Sequence, residues 1–124
     1  MLVELPWPPR ELSPNSRKHW AVRAKKKKAY GEVCYWSAKE CASQFPRCHV
    51  RFHDGNIPME ITFYPPDKRK RDADNMLASI KAAVDGVALA WKINDVRFRP
   101  ITINIGEVVK RGKVTIGVKN VRHD

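Results

Sequence analysis

The stretch Pro65-Pro-Asp-Lys-Arg-Lys-Arg-Asp-Ala-Asp-Asn75 joins two segments of opposite periodicity and sets the fold class. Before it, Met59-Glu-Ile-Thr-Phe-Tyr64 alternates β-branched and aromatic residues, the pattern of a strand, and Pro65-Pro66 closes that strand. After it, Leu77, Ile80, Val84, Val87 and Trp91 recur at steps of three and four, which predicts an amphipathic helix of about five turns over 75–91. Four consecutive cations, Lys68, Arg69, Lys70 and Arg71, stand directly before two carboxylates, Asp72 and Asp74. In an extended backbone those two side chains leave on the same side; in a regular helix they would diverge by about 200°. Carboxylates forced onto one side repel unless a proton or a metal ion lies between them, and oxygen ligands suit Mg²⁺, with Mn²⁺ as a substitute. The basic run would draw in a polyanion whose backbone such a metal attacks. The plainer alternative makes Asp72 or Asp74 a helix N-cap and the Lys/Arg run a solvated loop.

Working outward, Leu2-Val-Glu-Leu5 alternates as a short strand that Pro6-Trp-Pro-Pro9 ends, and a loop follows to Asn15. From Ser16 to Gln44 the pattern is helical, with Trp20, Ala24, Ala29, Val33, Trp36 and Cys41 approximating one face. Gly31 weakens that helix, and Phe45-Pro46 stops it. Cys48 to Phe52 reads as an irregular edge strand before the turn signal His53-Asp-Gly-Asn56. Val96 to Glu107, a turn at Lys110-Arg-Gly-Lys113, and Val114 to Val118 predict a terminal β-hairpin. No repeat or linker interrupts the 124 residues, so 1–124 is read as a single small α+β domain with a four-stranded sheet and two main helices.

With 24 Lys+Arg against 13 Asp+Glu, the net charge of +11 calls for an anionic partner, nucleic acid before a membrane surface. No apolar run approaches a membrane span and no leader pattern opens the chain, so a cytoplasmic protein is expected. Arg17 and Lys18, and Lys25, Lys26, Lys27 and Lys28 on the first helix, enlarge the basic surface. Trp20 beside them either stacks on a base or anchors the loop to the core. Cys34, Cys41 and Cys48 contain no C-x-x-C pair and read as buried free thiols of a reducing compartment rather than as zinc ligands, despite the neighbouring Cys48-His49.

A third carboxylate is needed to hold a catalytic cation firmly, and Asp95, just past the second helix, is the candidate. Five helical turns span about 25 Å, so the loop from Lys92 must fold back, the next strand must return Asp95, or a second subunit must supply it. Lys81 lies two turns along from Asp74. It can reach back to neutralise charge on a phosphoryl oxygen, or simply pair with Asp85 at i,i+4.

With Leu5-Pro-Trp-Pro-Pro9, Phe63-Tyr-Pro-Pro-Asp67, Arg71-Asp-Ala-Asp-Asn75, Lys81, Asp85 and Asn94-Asp95 in order, the chain resembles the RusA family of crossover-junction endodeoxyribonucleases from Leu5 to about Val118. The resemblance implies a RusA-like mixed α/β homodimer that cuts four-way DNA junctions with Mg²⁺. It places three catalytic aspartates on Asp72, Asp74 and Asp95 and a catalytic lysine on Lys81. Asn94-Asp95 stands where relatives often carry two aspartates, and Lys81 falls about one helical turn late. A symmetric junction needs paired cuts, which a two-fold dimer would supply. Two other readings remain: a non-catalytic module binding DNA or RNA by charge and shape, and an RNA-associated basic protein.

Overall fold

The computed structural model describes residues 2–43, 50–52, 55–118 and 121–123. The Cys48-His49 pair and the His53-Asp54 half of the expected turn lie outside them.

The alternating segment before the double proline forms β3 (Ile57–Tyr64), which turns Ile57, Met59, Ile61 and Phe63 into the core. It lies inside a mixed sheet of order β1-β5-β3-β4, built with β1 (Leu2–Pro6), β4 (Phe98–Ile105) and β5 (Lys113–Val118). The register sets Ile61 opposite Ile116 and Phe63 opposite Val114, while Leu5 also faces Val114 from the far side of β5. A slip of one residue would turn every one of these apolar side chains to solvent, so burial fixes the pairing. The opposite face is polar: Asn104 donates to Glu60 Oε1 (2.7 Å), and Lys113 pairs with Glu4 (3.3 Å) beside the Tyr64 ring. A separate pair of short strands, β2 (Val50–Phe52) and β6 (Val121–His123), carries the edge strand expected over 48–52.

The terminal hairpin is not formed. β4 runs parallel to β3 and β5 antiparallel to it, so β3 is inserted between the two strands expected to pair. The connection 106–112 steps over the end of β3, tied there by Gly106 N–H to Phe63 O (2.7 Å) and Val109 N–H to Pro65 O (2.9 Å). The turn at Arg111-Gly112 is real, with φ values of 70° and 69°. A local turn signal specifies a reversal without saying which strand lies beside the next one.

Parallel neighbours need a crossover, and helices supply it on the apolar face of the sheet. The helix expected over 75–91 is two, α2 (Ala73–Ser79) and α3 (Lys81–Ala90), separated at Ile80 where ψ rises to 12°. The predicted stripe is inward all the same: Ile80, Val84, Val87 and Trp91 are buried and Leu77 half-buried. The first helix, α1 (Trp20–Ser43), starts later than expected and runs unbroken through Gly31. Its buried face is Tyr30, Cys34 and Ala38, not the predicted stripe; Trp20, Val33 and Trp36 are exposed.

The reason is close approach. A Cβ on Gly86 of α3 would lie 2.6 Å from the Gly31 carbonyl oxygen, so only glycine and small residues allow the two helices to cross here. Trp91 Nε1 donates to the Ala38 carbonyl (2.9 Å), and the Tyr30 hydroxyl to the Pro6 carbonyl (2.7 Å), tying α1 to α3 and to β1. Cys34 and Cys41 are free thiols. Burial pushes the Cys34 thiol up to about 12, so it stays protonated and packs as a small apolar side chain. No helix among the described residues is long and apolar enough to cross a membrane.

Candidate active site

The loop leaving β3 is organised by a residue the sequence reading passed over. Asp67 Oδ1 accepts the backbone N–H of Arg69 (3.0 Å) and the Arg71 Nη2 (2.8 Å), and the Arg69 guanidinium adds a looser pair (3.3 Å). Arg71 Nη1 also donates to the carbonyls of Asp67 and Arg69, and its guanidinium lies over the Trp7 ring at 5.4 Å. Trp7 in turn meets Phe63 edge to face (6.0 Å), so the loop is bolted to the end of β3. The Arg69 backbone N–H and then its side chain hold the Asp67 carboxyl down at about 2. The usable signal was the spacing: one carboxylate with arginines two and four residues on. Of the four cations expected to grip phosphate, Arg71 is therefore spent inside the protein, Arg69 is partly engaged, and Lys68 and Lys70 are exposed.

With the loop fixed, α2 begins at Ala73, so Asp72 and Asp74 do not share one extended run as expected. Asp72 occupies the N-cap position (φ −79°, ψ 135°), and its carbonyl accepts the Met76 N–H (3.0 Å). Its side chain makes no capping bond, so the N-cap alternative holds for the backbone and not for the carboxylate. Asp74 Oδ1 accepts the Asn75 N–H (3.0 Å). Both residues are exposed.

Asp72 lines a cleft of about 500 Å³ whose walls include Trp7, Arg10, Asn15, Lys70, Arg71, Asn75 and Ser79. Through Arg10, Ser13 and Asn15 this cleft adjoins a hollow lined by Arg17 and Lys18. Through Ser79 it adjoins another that holds Trp20, Arg23, Lys27 and Lys81. Lys27, with Lys28, reaches a fourth hollow between α1 and α3. The first three form one basic trough, whereas the fourth hollow also holds Glu32 and Asp85, which balance its lysines. Lys25 and Lys26 are exposed on α1 without lining any of these hollows. Arg10 and Arg23 join the trough although the sequence did not single them out; only folding places them beside the others.

Asp95 does fold back. At the end of α3, Lys92 adopts φ 56° while its N–H reaches the Leu89 carbonyl and the Ile93 N–H the Ala88 carbonyl (2.9 Å), a Schellman reversal. Asn94 then caps the short helical turn Asp95–Arg97 by accepting the Val96 N–H (3.2 Å). The reversal delivers Asp95 to Lys81, whose ammonium bridges Asp95 Oδ2 and Asp85 Oδ1 at 2.9 Å each. Asp95 first and Asp85 second raise the Lys81 pKa, while Lys81 lowers that of Asp95, so both stay charged near neutrality. Lys81 points along α3 to these partners rather than back towards Asp72 and Asp74. Among the described residues no three Asp, Glu, His or Cys side chains come together in a set that could hold a metal ion, and Asp95 lies with Lys81 and Asp85.

No family model matches the sequence. It is 38% identical over 122 residues to an uncharacterized protein of Xylella fastidiosa Temecula1, an alignment covering 96% of this chain and 76% of that one. The chain belongs to the same family as that Xylella fastidiosa protein.

Proposed function

We propose that the protein is a cytoplasmic, metal-dependent endonuclease that resolves four-way DNA junctions as a two-fold dimer. The observation that carries this reading is the Asp72 carboxylate. It stands at a helix start without capping it, in a cleft whose other charged walls are cationic. An acid that makes no ion pair among the described residues, although arginines and lysines surround it, suits a site where phosphate and a cation meet. The resemblance in motif order to RusA-type resolvases points the same way.

The fit to Mg²⁺ is partial. Asp72 would hold the ion from the cleft wall, since Mg²⁺ commonly takes one or two carboxylates together with substrate phosphate and water; Asp74, on the first turn of α2, does not line that cleft. Asp95 is held by Lys81 instead, so the rest of the shell would be substrate phosphate, water or a ligand from the partner copy. A divalent cation bound there would polarise the phosphodiester and lower the pKa of an attacking water. Lys70 and Arg10 bind the flanking phosphates without reading bases. Asp85 and Asp95 hold the Lys81 ammonium in place, charged, on the wall of the adjoining hollow, where it can meet a phosphate oxygen.

Incubation of a labelled four-way junction with wild-type protein should give paired nicks in Mg²⁺ or Mn²⁺. In chelator it should give tight, salt-sensitive binding without cutting. A second reading, a non-catalytic module that binds branched nucleic acid, is favoured by one observation: Asp95 is engaged by Lys81. That reading predicts the same binding and an intact junction in Mg²⁺.

A further inference from the structure

We propose that Trp20 is a stacking platform for an unpaired nucleotide of branched DNA, held in the basic hollow next to the Asp72 cleft. This rests on the nucleic-acid reading above and adds the feature of the substrate that the site would select. Trp20 is the first residue of α1 and is 74% exposed, so most of its indole is not packed against the described residues. Its neighbour His19 is pinned, with Nδ1 accepting the Ala21 N–H (3.2 Å), and lies tilted against the indole at 5.5 Å. The indole is thereby braced while most of it faces solvent.

The hollow it lines measures about 390 Å³, within the roughly 300–1,000 Å³ of small-ligand sites and enough for a base with its sugar. Its walls are Arg23 and Lys27 on one side and Ser79 and Lys81 on the other. Arg23 is held in place by donating Nε to the Glu11 carbonyl (3.1 Å), and neither Arg23 nor Lys27 makes an ion pair among the described residues. An aromatic face beside two cations that make no ion pair among the described residues matches a nucleotide in both its parts: base on indole, phosphate on guanidinium and ammonium. Because Ser79 belongs to both hollows, a base stacked here would continue a strand whose backbone passes Asp72. Paired bases cannot reach such a platform, whereas bases at a branch point, gap or flap can. Trp36 makes the contrast: it too is exposed, but Tyr35 packs edge to face on it (5.1 Å) and Lys39 covers it (5.6 Å).

The test is fluorescence anisotropy in chelator at fixed salt, using a labelled duplex and the same duplex interrupted by a gap of unpaired thymines. Trp20→Ala should weaken binding of the gapped probe about tenfold or more and leave duplex binding within about twofold of wild type. Trp20→Phe should retain most of the preference, and Trp36→Ala should change neither probe. Equal weakening on both probes by Trp20→Ala, or no change on the gapped one, overturns the proposal. Wild-type protein that binds neither probe overturns the nucleic-acid reading as well. A wild type that cuts junctions in Mg²⁺, beside a Trp20→Ala variant with unchanged affinities, overturns this inference alone.

Discussion

The α1–α3 crossing and the loop leaving β3 stabilise the molecule by opposite means. At the crossing, backbone meets backbone through Gly31 and Gly86, and the residues between are Cys34, Ala38, Ala82 and Ala83, buried and without charge. In the loop most residues are charged, Lys68, Arg69, Lys70 and Asp72 are exposed, and order comes from Asp67 binding two arginines while Arg71 stacks on Trp7. A substitution at the crossing should therefore be felt as lost stability. One in the loop should be felt as lost function, unless it touches Asp67. That contrast separates Asp67 from Asp72, two exposed-side aspartates only five residues apart in sequence.

The largest stability effect should come from Gly86→Ala. Its Cβ would meet a rigid backbone oxygen at 2.6 Å, so the helices must part, costing about 1–3 kcal/mol. Urea unfolding of the variant measures this, and an unchanged midpoint would break the scaffold half of the comparison.

Acid titration sharpens the other half. The folded Asp67 carboxyl sits at about 2, below its ordinary value of 3.8, so folding favours its ionised form. Its contribution is complete above the ordinary value and disappears as pH falls from about 4 to about 2. Melting temperatures of wild type and Asp67→Asn should accordingly differ at pH 6 and converge towards pH 2. Parallel curves over that range would mean that Asp67 is no organiser.

The smallest effect belongs to the Lys81–Asp95 pair. Lys81 is 58% exposed, and ion pairs of that kind contribute little, so Asp95→Asn should leave the melting temperature within about 2 °C of wild type. Junction cutting by the same variant should fall, because Lys81 is then held by Asp85 alone. A large stability loss with full activity would assign the pair to the scaffold.

How much of this could be read before folding follows the same division. The alternation of Met59–Tyr64 and the three-four spacing from Leu77 to Trp91 are local; the first gave the strand, and the second gave the inward stripe of Ile80, Val84, Val87 and Trp91 but not the break at Ile80 that makes two helices of one. The insertion of β3 between β4 and β5 is non-local, and a turn signal at Lys110–Lys113 carries no information about it. On α1 the large apolar side chains suggested one face while packing selected another, because close approach to α3 demands small residues rather than the most hydrophobic ones. At the site, Asp72 and the cations around it stand out in the sequence. Which cations are spent, and where Asp95 lands, depend on a guanidinium stacking on Trp7 and on the reversal at Lys92, and neither contact has a sequence period.

The most direct test sets Asp67 against Asp72 in one assay: cutting of a labelled four-way junction in Mg²⁺, with melting temperature recorded for each variant. The account predicts that Asp72→Asn melts like wild type, still binds the junction, and cuts it at least about a hundredfold more slowly, while Asp67→Asn melts earlier yet still cuts when folded. An Asp72→Asn variant that cuts at the wild-type rate, or a wild type that leaves the junction whole, would contradict it.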